Sequence, residues 1–169
     1  DMSFMFSTCE NIKVLDVSKF NTKNVISFSG TFQFLRSVNI LDVKGFDTSS
    51  AIDMSWMFQS VYFVENIDVS HFDTSKVDDF YYMFAQCAYI TSLNLKSFDT
   101  SKIRDMHGMF SECTRLKSLD LSNFDTHEVR DMGEMFSGCG ALQELKGIEK
   151  FNTEMVTDMS HMFNYCMKL

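Results

Sequence analysis

The stretch CTRLKSLDLSNFDTHEVRDMGEMF, residues 113–136, contains the pattern that organises the whole chain. Its Met-Phe pair has near copies throughout the sequence, and the phenylalanines of these pairs are separated by 26 residues five times and then by 27. The pairs lie at 5–6, 31–32 (Thr-Phe), 57–58, 83–84, 109–110, 135–136 and 162–163. A fixed period of this length is typical of a solenoid, in which each coil packs on its neighbours.

A second series, the triplet Phe-Asp/Asn-Thr, recurs in step with the first. Its copies lie at 20–22, 46–48, 72–74, 98–100, 124–126 and 151–153. Its last interval is also 27, so both series place a one-residue insertion between Leu145 and Phe151.

The pattern within one coil predicts its local structure. Residues 116–122 alternate apolar and polar with period 2, which predicts a strand with Leu119 and Leu121 facing inward and Asp120 facing outward. The turn residues 124–127 follow. The next apolar residues are spaced by 3, 3, 1 and 3, which favours a second short strand near 128–132 and a helical turn at 133–139.

Residues 98–126, FDTSKIRDMHGMFSECTRLKSLDLSNFDT, closely resemble the 26-residue repeat of BspA-like bacterial surface proteins, relatives of the leucine-rich repeats. The resemblance covers essentially the whole chain. It implies a right-handed solenoid with a strand on the concave side, cell-surface display or secretion, and adhesive protein–protein contacts. Two coils depart from the motif: the second has Thr31 for Met and Leu35 for Cys, and the last has LKGIEKFNT for LDLSNFDT.

The predicted fold is therefore a right-handed, leucine-rich-repeat-like β-solenoid of about 26 residues per coil. Each coil would contribute one concave strand, a second short strand and a helical turn. We expect a single solenoid domain over residues 1–169, with about six coils. Because neither end has a polar capping repeat, we expect this domain to be part of a longer array.

Composition and charge exclude several classes of function. The net charge is −8 and the 15 Lys and Arg residues are scattered, which argues against nucleic-acid binding. No apolar run approaches the roughly 18 residues of a membrane span, so we expect no direct membrane insertion in this segment. The cysteine count of 5 is odd, which weakens a disulfide-scaffold interpretation.

The residue types that usually carry chemistry form no constellation in the sequence. Equivalent positions in successive coils are here called a column. Leu35 and Val61 share the column of the five cysteines, so that position accepts apolar side chains, and free Cys acts there as a small hydrophobic residue. The four histidines, His71, His107, His127 and His161, each occupy a different column and are expected at the surface. We therefore predict no catalysis, no cofactor and no metal site.

Threonine and two acidic columns have a structural explanation. The threonines of the triplet would bond backbone in the turn, as would the Asp or Asn before them. The second acidic column precedes the predicted helical turn and would cap it. Its members are Asp1, Ser27, Asp53, Asp79, Asp105, Asp131 and Asp158.

The third acidic column, here called the Asp ladder, is the first candidate for a partner-binding face. It points outward from the middle of the predicted strand, where no local backbone role is expected. Its members are Asp16, Asp42, Asp68, Asn94 and Asp120. Carboxylates about 5 Å apart in water repel by roughly 1 kcal/mol, and Lys44 and Lys96 would relieve part of this. A merely solvated face is the alternative.

The second candidate is an aromatic patch in the column just before Met-Phe. Phe4, Trp56 and Tyr82 occupy it, and exposed aromatic residues are favoured as interface anchors. Packing against neighbouring turns is the alternative.

Together with the resemblance to BspA-like surface proteins, which implies cell-surface display and adhesive contacts, these features predict a non-catalytic protein-binding or adhesion module of a bacterial surface protein. Its partner would be a protein on a host or neighbouring cell. The alternative is an intracellular interaction scaffold, which would suit five unpaired thiols.

Overall fold

Backbone hydrogen bonds between equivalent residues join neighbouring repeats side by side. The computed structural model describes all residues, 1–169. We number the repeats as 1–26, 27–52, 53–78, 79–104, 105–130, 131–157 and the partial repeat 158–169. Parallel single-residue bridges link their first residues: Ser27 with Asp53, Asp53 with Asp79, Asp79 with Asp105, Asp105 with Asp131, and Asp131 with Asp158.

Regular secondary structure is nearly absent. Two short strands, β1 (Ser118–Asp120) and β2 (Glu144–Lys146), pair in parallel with Leu119 opposite Leu145. A 3-10 helix, Ile148–Lys150, follows β2, and there is no α-helix. Turns, bends and extended loops make up the rest of the chain.

The predicted right-handed, leucine-rich-repeat-like β-solenoid is therefore wrong. In place of one concave strand per coil, a single open two-stranded sheet forms, in repeats 5 and 6. The second strand expected near 128–132 is reduced to the bridge residue Asp131, and the helical turn at 133–139 is absent. The spacing of apolar residues indicates which side chains are buried. A series of turns can bury the same side chains as a strand or a helix, so the spacing alone does not distinguish them.

A series of tight turns, which we call the turn side, replaces the expected helical turn. In repeat 3 the even-numbered residues 54–60 donate their N–H groups to carbonyls of repeat 4 at 2.8–3.4 Å. The odd-numbered residues 57–61 instead donate to the carbonyl three residues earlier at 3.0–3.2 Å. Trp56 and Ser60 have φ angles of 55° and 58°, and their equivalents in every repeat are also left-handed. An α-helix requires right-handed φ throughout, so this alternation excludes it.

A stack of aromatic rings runs along the core behind the turn side. Neighbouring rings have centroids 5.4–5.9 Å apart and planes within 2–11° of parallel. The stack consists of Phe6, Phe32, Phe58, Phe84, Phe110, Phe136 and Phe163. Burying one such side chain contributes about 1.5–3 kcal/mol, so this column is a large part of the core, which extends from Met2 to Met162.

The segment 64–70 and its equivalents form the opposite side of each repeat, which we call the strand side. Its side chains alternate as predicted, with Ile67 and Val69 buried and Asp68 directed outward. Among repeats 1 to 4, however, no backbone hydrogen bond joins neighbouring segments of the strand side. The alternation therefore comes from burial of apolar side chains and not from a hydrogen-bonded sheet.

The threonine column connects one repeat to the next. The Thr48 hydroxyl donates to the Asp73 carbonyl at 3.0 Å and accepts the Asp73 N–H at 2.8 Å. The same pair of bonds forms at Thr22, Thr74 and Thr100. The predicted bonding to backbone is thus present, but the backbone belongs to the following repeat.

The extra residue of repeat 6 is accommodated where the sequence places it. Gly147 has a φ of 90°, and the 3-10 helix Ile148–Lys150 follows directly. A Cβ on Gly147 would lie 2.5 Å from the Leu121 carbonyl carbon. Only glycine fits this combination of left-handed φ and close backbone approach.

Candidate functional site

The Asp ladder lies on the strand side and is open to solvent. Each member accepts a hydrogen bond from the N–H two residues later, at 2.9–3.3 Å. The expectation that these side chains have no local backbone role is therefore wrong, because they stabilise Asx turns. Their second side-chain oxygen or nitrogen makes no hydrogen bond within the chain.

Serine and lysine side chains favour the ionised forms of Asp68 and Asp120. The Ser70 hydroxyl and N–H donate to Asp68 at 2.7 and 3.2 Å, and together with Lys44 they lower the pKa of this carboxyl. Hydrogen bonds from Ser122 lower the pKa of Asp120 in the same way, helped by Lys146 and Lys96. Lys44 and Lys96 thus lie where they partly offset the repulsion along the ladder.

The aromatic patch Phe4, Trp56 and Tyr82 occupies left-handed positions of the turn side. Phe4 is 50% exposed and lies across Gly30, where a Cβ would overlap the phenyl ring. Its ring centroid is 6.3 Å from that of half-buried Trp56. The patch is therefore only partly exposed.

Tyr82 is held against its neighbours. Its ring lies over Gly108, and its hydroxyl donates to Glu134 two repeats away at 3.0 Å. Burial and this hydrogen bond raise the pKa of Tyr82. His107 is half-buried beside it, with its Nδ1 3.0 Å from Asp131 Oδ1, so the expectation of an isolated surface histidine is wrong. Tyr82 therefore packs against neighbouring turns, which was the alternative to an exposed interface anchor.

A second group of aromatic rings at the surface, two of them exposed and one half-buried, is here called the aromatic cluster and was not predicted from the sequence. It consists of Tyr62, Phe63 and Tyr89, whose ring centroids are 5.0–5.6 Å apart. The Arg115 guanidinium lies 3.7 Å from the centroid of Tyr89. Tyr62 and Phe63 are 42% and 43% exposed.

The cluster could have been found by comparing columns. The column of Tyr62 also contains Glu10, Arg36 and Thr114, and that of Phe63 contains Asn11, Ser37 and Arg115. Polar residues in these columns indicate exposed positions, so aromatic residues there are exposed as well.

The three central cysteines of the column are buried, whereas Cys9 and Cys166 are half-buried. The thiols of Cys87, Cys113 and Cys139 donate to a phenylalanine carbonyl of the preceding repeat at 3.1 Å. Burial raises the pKa of Cys87 and of Cys139 to about 12. Because the thiolate is the reactive form, these groups are poor nucleophiles at neutral pH. All five cysteines are free.

The acidic column at the start of each repeat is partly buried. The side chains of Asp53, Asp79, Asp105 and Asp131 each accept the N–H two residues later. Burial, opposed by the Tyr81 N–H and reinforced by neighbouring carboxylates, raises the pKa of Asp79 to about 6. These residues form turns, as Asx residues, and do not cap a helix.

No group of His, Cys, Asp or Glu side chains is arranged to hold a metal ion. The structure contains no helix with the length and apolar character required to cross a membrane.

Comparison with known families identifies one match. The family model described as "Mycoplasma protein of unknown function, DUF285" matches residues 1–92 and again residues 88–169. No curated protein matches the chain.

Proposed function

We propose that this chain, which belongs to the Mycoplasma protein family DUF285, is a non-catalytic protein-binding module that holds its partner on the strand side. One observation carries the proposal: the outward-facing Asp ladder and the exposed aromatic cluster adjoin each other. Ile40 and Asn66 line the groove beside Phe63 and Tyr89, and each lies two residues before a ladder aspartate. An apolar anchor with a charged rim is the usual composition of a protein interface.

The proposed setting is the surface of a bacterial cell or the secreted fraction. It is supported by the resemblance of residues 98–126 to the repeat of BspA-like surface proteins. The partner would then be a protein on a host or neighbouring cell, and contact through a charged ladder would make capture sensitive to salt.

The alternative of an intracellular scaffold, suggested by the unpaired thiols, is supported by only two of them. Cys87, Cys113 and Cys139 are fully buried, and such thiols resist oxidation in either compartment. Cys9 and Cys166 are half-buried, so only these two thiols would favour a reducing environment.

The test removes the charge of the ladder and leaves its turns intact. Asn94 already occupies this column and accepts the Lys96 N–H at 3.3 Å, so Asp42→Asn, Asp68→Asn and Asp120→Asn should preserve the Asx turns. We expect the triple variant, immobilised on beads, to capture less protein from solubilised host-cell surface than the unmodified chain does.

A matched control removes three charges elsewhere. Asn21 and Asn152 occupy the other turn column, so Asp47→Asn, Asp73→Asn and Asp99→Asn should also fold, and this variant should capture normally. Equal loss in both triple variants would show a general effect of net charge and would refute the ladder as the contact face.

A further inference from the structure

We propose that the aromatic cluster binds an extended, proline-rich segment carrying basic residues on the partner protein. This inference rests on the proposed function and specifies the chemistry of the partner. Polyproline II segments are bound in aromatic-lined grooves because they are already extended and lose little entropy on binding.

The cluster borders two grooves that share Phe63 in their lining. The first is about 560 Å³ and is lined by Arg36, Tyr62, Phe63 and Glu112 among others. The second is about 450 Å³ and is lined by Phe63, Tyr89, Ile40 and three polar residues. Both volumes lie within the range of sites that hold a few side chains. A ligand that crosses Phe63 would contact an aromatic ring in each groove.

The polar groups of the second groove have no partner within the chain. The side chains of Asn39, Glu65 and Asn66 line it and make no intramolecular hydrogen bond. A polyproline II backbone has no internal hydrogen bonds, so its carbonyls are free to accept them. The two asparagine amides can donate hydrogen bonds to such carbonyls. In a helix, or in a strand already paired in a sheet, most backbone carbonyls are already hydrogen-bonded.

The charges around the grooves favour a basic ligand. Arg36 already pairs with Glu10 at 3.8 Å and lies 5.3 Å from the Phe34 ring centroid, and Arg115 covers Tyr89. Glu65 and Glu112 form no ion pair within the chain. Arg115 forms no ion pair either, so the charges without an ion pair beside the two grooves are two carboxylates and one guanidinium. Their sum is negative, in a chain of net charge −8.

Residues 1–169 of a second copy do not supply this ligand. They contain no proline, so the proposed proline-rich segment lies outside these residues. Basic residues flanking the prolines would pair with Glu65 or Glu112 and would fix the direction in which the segment binds.

The test uses synthetic peptides and isothermal titration calorimetry with the unmodified chain. Acetyl-PPRPLPPRPP-amide should bind, and the same peptide with every proline replaced by alanine should bind about tenfold more weakly or not at all. Phe63→Ala and Tyr89→Ala should each weaken binding by about tenfold or more, as expected for an anchor residue. Ile52→Ala, which removes an apolar side chain 49% exposed outside both grooves, should bind normally.

The charge contribution is tested separately with Glu65→Gln combined with Glu112→Gln. This variant should bind the peptide about threefold to fivefold more weakly at low salt and lose most of the salt dependence. Circular dichroism and the urea midpoint confirm that each variant is folded.

Three results would overturn the inference: no binding of the proline peptide, equal binding of the alanine peptide, or unchanged binding by both aromatic variants. Binding of chitotetraose that is abolished by Phe63→Ala would also overturn it, in favour of a carbohydrate ligand. If the peptide does not bind, the ladder experiment still tests the proposed function, because it measures protein capture by variants in which the aromatic cluster is intact.

Discussion

The turn side and the strand side of each repeat contribute differently to the molecule. On the turn side, every pair of neighbouring repeats is joined by 4 regularly spaced backbone hydrogen bonds, such as those from residues 54–60 to 79–85. On the strand side, β1 and β2 are the only paired strands. Cohesion between repeats therefore comes mainly from the turn side. The proposed partner-binding face therefore lies on the side with fewer backbone hydrogen bonds between repeats.

The strongest test of this difference compares a turn-side core residue with an exposed residue of the aromatic cluster. Phe84 is fully buried in the ring stack, so Phe84→Ala should lower the free energy of unfolding by about 3–5 kcal/mol. Phe63→Ala should change it by about 0.5 kcal/mol or less, since that side chain is 43% exposed. Urea unfolding followed by circular dichroism measures both. Similar losses in the two variants would contradict the assignment of cohesion to the turn side.

A smaller loss is expected from the threonine column. The Thr74 hydroxyl donates to the Asp99 carbonyl and accepts the Asp99 N–H, both at 2.8 Å. Thr74→Val preserves the shape but leaves both backbone groups unpaired, which should cost about 2 kcal/mol in urea unfolding. Thr153 is exposed and its hydroxyl makes no hydrogen bond, so Thr153→Val should be nearly neutral. If the two variants are equally stable, the column does not connect the repeats energetically.

Two glycines provide a third comparison between the sides. Gly108, on the turn side, has a φ of 60° and lies beneath the Tyr82 ring, so Gly108→Ala should cost about 1–2 kcal/mol. A Cβ at Gly45, next to the strand side, would meet only the Ser18 carbonyl oxygen at an ordinary 3.6 Å. Gly45→Ala should therefore be neutral or slightly stabilising in thermal unfolding. A loss at Gly45 equal to that at Gly108 would argue against the difference.

A pH dependence of stability is also expected from the turn side. The pKa of Asp79 is about 6 in the folded chain against 3.8 for an ordinary aspartate. Between these values the folded state binds more protons than the unfolded state, so this group makes stability fall as pH rises from about 4 to about 6. Asp79→Asn, which still accepts the Tyr81 N–H, should flatten the dependence of the urea midpoint over that window. An unchanged slope would refute the assignment to Asp79.

Carboxylates elsewhere act in the opposite direction at lower pH. Hydrogen bonds from the following serine lower the pKa of Asp68, Asp73 and Asp99. The stability that these groups contribute is complete above the unfolded pKa and is lost as pH falls through the folded value. Maximal stability is therefore expected in mildly acidic solution.

The sequence predicts burial in this protein better than it predicts hydrogen bonding. The columns of Leu119, Leu121 and Phe136 lie in the core as their spacing indicates. The strand expected around each equivalent of Leu119 forms only in β1 and β2. The period of apolar residues along the sequence reflects which side chains face inward. Neither a period of 2 nor a period near 3 specifies which carbonyl accepts a hydrogen bond from each N–H.

The left-handed residues were the least predictable feature. Phe4, Trp56 and Tyr82 are bulky residues that rarely adopt positive φ. Each donates its own N–H to the next repeat, whereas the N–H groups of the two flanking residues bond within the turn. The left-handed conformation depends on hydrogen bonds to the next repeat, so a local sequence pattern does not predict it. The aromatic cluster, in contrast, could be predicted by comparing the residues of each column.

The extra residue of repeat 6 shows where the chain can change length. Despite the insertion at Gly147 and the 3-10 helix after it, the four bonds from residues 132–138 to 158–164 form as they do between other repeats. Additional chain at this corner is thus absorbed without shifting the alignment of the following repeat. A loop or an affinity tag grafted between Ile148 and Lys150 would leave the stack in register and provide a fixed attachment point near one end.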